Sequence, residues 1–218
     1  MHWHDIVDFV PILIQGAVMS IVITLGYLLL STVLGLTWAL LKMSRYPLVV
    51  RGVSTMINVV RGLPMIVLLF YIYFVLPEIH IQVSALQASI IGLGFGYSTY
   101  VAEIFRAGIE AVDPGQYEAA QSIGMGRVKT MVRVILPQAI KVALPPYSNT
   151  LVMMLKDSSL ASTITVAEMT REGQLIAAST FQNLTVYTLV AVGYLAMSLP
   201  LMSMTRTLER RFGRHKAR

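Results

Sequence analysis

Three side chains carry full charge within stretches that are otherwise apolar: Arg61, Lys156 and Asp157. A charge at membrane depth costs at least about 2.5–3.5 kcal/mol on insertion scales, so it normally faces an aqueous cavity or a partner. Two cations and one anion suit two kinds of chemistry. The blander is an internal salt bridge, such as Arg61 with Asp157, that holds helices together. The sharper is a binding site for a small zwitterion such as an α-amino acid. Its carboxylate would meet Arg61 or Lys156, and its ammonium would meet Asp157. Asn58, one turn before Arg61, and Ser158 would add neutral hydrogen bonds. The two readings are compatible, because a bridge can open when a ligand arrives. Gly62 and Pro64 loosen the helix beside Arg61 and free backbone groups to line a cavity. Tyr71, Tyr73, Tyr97 and Tyr100 read as packing or interface residues rather than clamps. No catalytic set and no metal site is expected; the chain has no cysteine, which excludes disulfides and thiolate metal sites.

These charges must be positioned by membrane helices. The chain of 218 residues is 56% hydrophobic and 13% charged, where a soluble domain carries about a quarter charged residues. Its mean hydropathy is +0.68. Phe9 to Leu41, Ile79 to Ala102 and Gly173 to Thr205 contain no Asp, Glu, Lys or Arg, and Gly52 to Pro77 contains only Arg61. A spanning helix needs about 20 such residues, so these four segments are expected to cross. A fifth, Val142 to Leu155, is short and stops at Lys156 and Asp157.

Charge decides the fifth. Lys42, Arg45 and Arg51 form one basic cluster, Arg106, Arg127, Lys129, Arg133 and Lys141 a second, and Arg206, Arg210, Arg211, Arg214, Lys216 and Arg218 a third. Loops rich in Lys and Arg stay cytoplasmic. Placing all three clusters inside requires an outside N-terminus, a cytoplasmic C-terminus and five spans, approximately 17–41, 54–76, 84–107, 140–164 and 184–206. Asp5, Asp8, Glu78, Glu168 and Glu172 then fall outside. The net charge of +6 follows from this asymmetry and needs no nucleic acid; the basic tail could also touch anionic lipid. Residues 1–15 read as an outer interfacial segment anchored by Trp3, with Pro11 at its junction to the first span. That span is expected to serve as its own insertion signal, without a cleaved peptide. In the third span, Gly92 and Gly96 of "GLGFG" are spaced for close helix packing; no strand precedes them, so a nucleotide loop is disfavoured. The fold class is an all-α membrane protein, one domain over 1–218.

One stretch breaks the apolar rule. "EAAQSIGMGRVKTMVRVILPQ", residues 118–138, lies in a cytoplasmic loop of about 107–139. Asp113 followed by Pro114 signals a helix start, and Gln116 stands where a capping-box partner belongs. Tyr117, Ala120 and Gln121 share a face, and Gly124 suits the left-handed turn that stops a helix. A second helix is expected from about Arg127 to Ile135, with Val128, Met131, Val132 and Ile135 on its apolar side and Pro137 ending it. A helix-turn-helix reader would need a separate folded domain. A phosphate loop would need glycine at positions held by Ile123 and Val128. A plain connection would be shorter, about four to six residues. The remaining reading is a pair of helices that docks a separate cytoplasmic protein.

At these residues the chain resembles a known family. The EAA loop of bacterial ABC importer permeases reads Glu-Ala-Ala, three residues, Gly, nine residues, Ile, one residue, Leu-Pro. Here it stands as Glu118-Ala119-Ala120, Gly124, Val134 and Leu136-Pro137, with valine for isoleucine the sole departure. "VVRGLP", "FRAGIEAVDPGQYEAAQSIG" and "LKDSSLAS" look like the polar amino-acid branch, the histidine, glutamine and arginine type, so the resemblance covers the whole length. It implies a type I (MetI-like) permease fold and a transport subunit that is not itself an enzyme. Glu118, Ala119, Ala120, Gly124, Leu136 and Pro137 would couple to cytoplasmic ABC ATPase subunits, and those partners would use ATP and Mg, with no cofactor in this chain. A second permease subunit, identical or sibling, an extracytoplasmic solute-binding protein and an amino-acid substrate are the other implied partners, in a bacterial inner membrane. A membrane-embedded regulator whose loop docks a soluble partner without transport is the alternative from another class.

Overall fold

Helix α1 (Trp3–Lys42) runs unbroken for 40 residues. The expected junction at Pro11 is absent: the proline sits inside the helix. A proline removes one amide donor. Here it lies near the helix start, with Val7 exposed one turn before it, and membrane helices tolerate such an interruption. The computed structural model describes the backbone of residues 3–213 and the side chains of 6–211. The Trp3 side chain and the tail cations Arg214, Lys216 and Arg218 lie outside these described residues.

The second span is broken rather than continuous over 54–76. Helix α2 (Pro47–Gly62) stops at Leu63, which is extended at φ −94° and ψ 139°. Helix α3 (Met65–Phe70) starts after Pro64 and continues through a π turn (Tyr71–Val75) and a 3-10 turn (Leu76–Ile79). The two halves are bent by 102°. Proline pushes the residue before it out of the helical region, and Gly62 adds backbone freedom, so the break falls where the sequence loosens.

Helix α4 (Ala85–Glu110) begins at a full capping box: Gln87 N–H donates to Ser84 Oγ at 3.2 Å, and Ser84 N–H donates to Gln87 Oε1 at 2.9 Å. It packs along α1, and glycines set the approach. A Cβ on Gly94 would stand 2.7 Å from Leu30 Cδ2, and one on Gly96 would stand 2.5 Å from Met65 Sδ on α3. Lipid is as apolar as these side chains, so close packing rather than exclusion from water holds such helices together. Ile23, Tyr27, Leu69, Leu93, Tyr97, Met154 and Ile164 form the core at this junction.

Helix α5 (Pro114–Ser122) and a helix that starts with α6 (Arg127–Thr130) follow. Pro137 does not end the second of these. The chain continues through a π turn (Met131–Ile135) into α7 (Leu136–Asp157). Within the π turn Leu136 N–H reaches back five residues to the Met131 carbonyl. The wider turn accommodates a proline whose amide cannot join the α-helical ladder.

A 3-10 segment (Ser158–Ile164) leads to α8 (Met169–Thr180), a helix in what reads from sequence as an outer loop. Helix α9 (Asn183–Gly213) closes the bundle. Glu168, expected at the outer surface, is fully buried. Its Oε2 accepts from Ser20 Oγ of α1 at 3.1 Å and from Tyr194 Oη of α9 at 2.8 Å. Its Oε1 caps α8 by accepting from Arg171 N–H at 2.8 Å. Three helices thus meet at one carboxyl group.

Among the described residues, two helices are by themselves long and apolar enough to cross a membrane, Ile6–Lys42 and Asn183–Arg211; the bent pair Pro47–Gly62 and Met65–Ile79 makes a third if it is one span. Helices α4 and α7 are less apolar because they face protein. Gly92, Gly94, Gly96, Ser98 and Thr99 of α4 are buried, as are Ser148 and Thr150 of α7.

Candidate functional site

Two of the three intramembrane charges, Arg61 and Asp157, converge on an aromatic face of α4 without pairing with each other. Tyr97 Oη donates to Asp157 Oδ2 at 2.6 Å, where Asp157 ends α7. The Tyr97 ring lies 5.7 Å from Tyr27, whose hydroxyl donates to the Met154 carbonyl. On its other side it lies 6.1 Å from Tyr100. The guanidinium carbon of Arg61 stands 4.8 Å over the Tyr100 ring centroid, within the range at which a cation is attracted by the π face. Asp157, Tyr97, Tyr100 and Arg61 therefore form one continuous row from α7 across α4 to the last turn of α2.

Arg61 and Asp157 do not form the salt bridge of the blander reading. The ion pairs among the described residues involve neither. A phenol donor satisfies the carboxylate and a π face holds the guanidinium, so both charges are stabilised without contact. Arg61 and Asn58 are exposed on α2, and the Lys156 side chain is exposed and makes no hydrogen bond or ion pair among the described residues. Ser158 is buried and donates to the Leu155 carbonyl at 2.8 Å, so its hydroxyl proton is already used. Sequence reasoning set Tyr97 and Tyr100 aside as packing residues. Their spacing of three on a helix, beside a span carrying Arg61, is the signal that could have placed them at the site.

The loop segment forms its own surface. Asp113 caps α5 by accepting from Gly115 N–H at 2.7 Å. The expected capping box does not form, because Gln116 Oε1 accepts from Gln138 Nε2 at 3.3 Å instead and ties α5 to α7. At the other end Gly124 adopts φ +79°. Its N–H donates to the Gln121 carbonyl at 2.9 Å, and Met125 N–H donates to the Ala120 carbonyl at 3.0 Å. That pair of bonds is the Schellman stop, which requires the left-handed conformation glycine adopts at least cost.

Ala120 is buried beneath this turn, whereas Glu118 and Ala119 are exposed. Of the side expected to be apolar on the second helix, Ile135 is buried and Met131 half-buried. Val128 and Val132 are exposed, and Val128 and Ile123 are among the most exposed large apolar residues, at 79% and 78%. Leu136 is half-buried and Pro137 exposed.

An ion network ties the end of α1 to the last turns of α4, just before this loop segment. Glu103 of α4 accepts from Lys42 Nζ at the end of α1 at 2.5 Å and from Arg106 at 2.8 Å, and Arg106 also pairs with Glu110 at 2.5 Å. Sequence reading assigned Lys42 and Arg106 to separate loops, and nothing in their spacing reveals that one carboxylate joins them.

Residues 31–214 match the protein family described as "Binding-protein-dependent transport system inner membrane component". The chain belongs to that family. Its amino-acid ABC transporter permease relatives include YckA of Bacillus subtilis, a probable one, 36% identical over 96% of this permease and 92% of YckA. The glutamine transport system permease GlnP of Escherichia coli is 35% identical over 96% of both chains. The solved structure of an amino acid ABC transporter with histidines contains a chain that superimposes on this one with a TM-score of 0.90 at 37% identity, covering 97% of this permease and 99% of that chain. The permease accordingly has the all-helical type I importer fold and is a transport subunit rather than an enzyme, with ATP hydrolysis in a separate subunit.

Proposed function

We propose that this permease carries polar amino acids into the cytoplasm as the membrane subunit of an ATP-driven importer, by alternating access. The single observation that carries the reading is the exposed surface of the loop segment. A capped helix, a glycine stop and three exposed apolar side chains are presented on the same rigid bundle that holds the charged row. Exposed apolar groups on a polar segment mark an interaction site. Two cytoplasmic ATPase subunits, using ATP and Mg, would seat on Glu118, Ala119, Ala120, Gly124, Leu136 and Pro137. The network of Lys42, Glu103, Arg106 and Glu110 would transmit their closure to α1 and α4.

The whole chain, 1–218, acts as one permease domain with its coupling loop at about 107–139. In this reading the N-terminus faces outward and the C-terminus faces the cytoplasm of a bacterium, in the inner membrane. A second permease, identical or sibling, completes the pathway, and an external binding protein delivers the solute. The pathway site comprises Arg61 and Asp157 with Asn58, Lys156 and Ser158 around them. Arg61 would receive the α-carboxylate and Asp157 the ammonium, each exchanging its aromatic partner for the solute. The names of YckA and GlnP support an amino acid as that solute.

Reconstitution into proteoliposomes with the co-purified ATPase tests the reading. Amino-acid uptake that requires ATP and the external binding protein is the expected result. ATPase docking with no uptake of any amino acid would replace the importer with a regulator that docks a partner without transport.

A further inference from the structure

Helix α2 carries a polar stripe that extends beyond the pathway row. Arg51, Thr55 and Asn58 follow one another at four- and three-residue spacing, with Ser54 and Arg61 on the adjoining edge of the same face. Arg51, Thr55, Asn58 and Arg61 are exposed, while Val60 on the opposite side and Ile57 next to the Arg61 edge are buried, and Val59 beside Thr55 is exposed. Elsewhere, serine and threonine hydroxyls of the long helices fold back on the carbonyl one turn earlier, as Thr24, Thr32, Thr37 and Thr99 do. Ser54 and Thr55 make no such bond, and the Asn58 amide is likewise without a partner among the described residues. A Cβ added at Gly52 or Gly62 would meet nothing within 4 Å. Open polar groups beside open space do not face hydrocarbon, where each unsatisfied group costs several kcal/mol.

The stripe runs inward from the membrane surface. Lys42 and its Glu103 partner mark the cytoplasmic ends of α1 and α4, and α2 begins just beyond Lys42. Arg61 at its far end reaches Tyr100, one helical turn inward of Glu103 on α4, or about 4.5 Å at the helical rise. A helix lying in the headgroup layer would keep its polar face at one depth. This one ends against the aromatic row that holds Asp157.

We infer that the polar face of α2 lines the cytoplasmic half of the solute route, with Arg61 and Arg51 as successive stations for a carboxylate and Asn58 and Thr55 as neutral donors between them. The inference rests on the import reading above. A carboxylate released from Arg61 would meet hydrogen-bond donors at each turn toward Arg51, so no step exposes it to an apolar wall.

The chain contains no cysteine, so a single thiol reports its own position. Thr55→Cys, Asn58→Cys and, as a control on the exposed apolar face of α1, Leu29→Cys would be made in the complete importer. Each would be treated from the cytoplasmic face with a charged, membrane-impermeant methanethiosulfonate. The expected result is modification of positions 55 and 58 at least about ten-fold faster than position 29, followed by loss of uptake, because only the water-ionised thiolate reacts. Labelling no faster than at position 29 would overturn the inference, as would rapid labelling with undiminished uptake, the signature of a headgroup-layer helix. Arg51→Gln should slow uptake about ten-fold, the loss of one charged contact of about 1.4 kcal/mol, and Arg51→Lys should restore most of it. Full uptake in Arg51→Gln would remove the second station and the inference with it. Absence of uptake in the untreated importer would instead defeat the import reading, while the labelling pattern would still report which face of α2 is wet.

Discussion

Asp157 receives a phenolic hydrogen bond from Tyr97 rather than a salt bridge with Arg61, and that difference changes what its substitution should do. Asp157→Asn keeps the size and an acceptor for Tyr97 but loses the charge offered to an ammonium. Uptake of cationic amino acids is expected to fall by about ten-fold or more, the scale of one hydrogen bond to a charged group, and uptake of neutral ones by less. Equal loss for all substrates with intact assembly would assign Asp157 a structural role. Glu168 belongs to the other class of buried charge. Glu168→Leu would leave the Arg171 amide without its acceptor, at about 1–3 kcal/mol for an unsatisfied group, and would leave Ser20 with only the Gly16 carbonyl and Tyr194 with only the Thr170 hydroxyl. Its detergent-solubilised melting temperature should drop clearly below that of Glu168→Gln, which keeps an acceptor oxygen. A Leu variant as stable as the parent would show that the carboxyl is not the staple of α1, α8 and α9.

At the scale of elements, local signals were legible where chemistry is local. Asp113 and Gly124 mark their helix ends as the spacing predicts, because a cap needs only its own turn. Pro137 misleads for the opposite reason. Its cost depends on whether the preceding turn can widen, and the π turn from Met131 to Ile135 does so. Helix α8 escaped notice because its segment continues the apolar run, and Glu168 looks like an outer-loop acid until Ser20 and Tyr194 enclose it. The exposed apolar knobs of the loop segment yield a direct prediction. Ile123→Asp and Val128→Asp should leave the permease in the membrane yet reduce the ATPase recovered by co-purification about ten-fold or more, since an interface anchor contributes about 2 kcal/mol or more. Unreduced recovery would place the docking surface elsewhere. Gly124→Asp should act the same way by straining the left-handed turn, with the smaller effect expected because aspartate visits that region at modest cost.

For the whole molecule, the Lys42, Glu103 and Arg106 network is the one charged tie between the ends of α1 and α4 among the described residues. Glu103→Gln is expected to lower uptake more than it lowers ATPase binding, because it loosens the route between docking and pathway while sparing the docking surface. Parallel loss of both would make the network part of the docking surface itself. The sequence by itself determined that this chain is a helical membrane permease with a capped, amphipathic insert. Hydropathy, basic clustering, capping and motif spacing each add up along the chain without reference to distant residues. Only the tertiary structure decided which groups face one another: Asp157 with Tyr97, Arg61 with Tyr100, Glu168 with Ser20 and Tyr194, and the open polar face of α2. Those pairings depend on how helices far apart in sequence are rotated and bent against each other. The 102° break at Leu63 and Pro64 and the glycine contacts of α4 set that geometry.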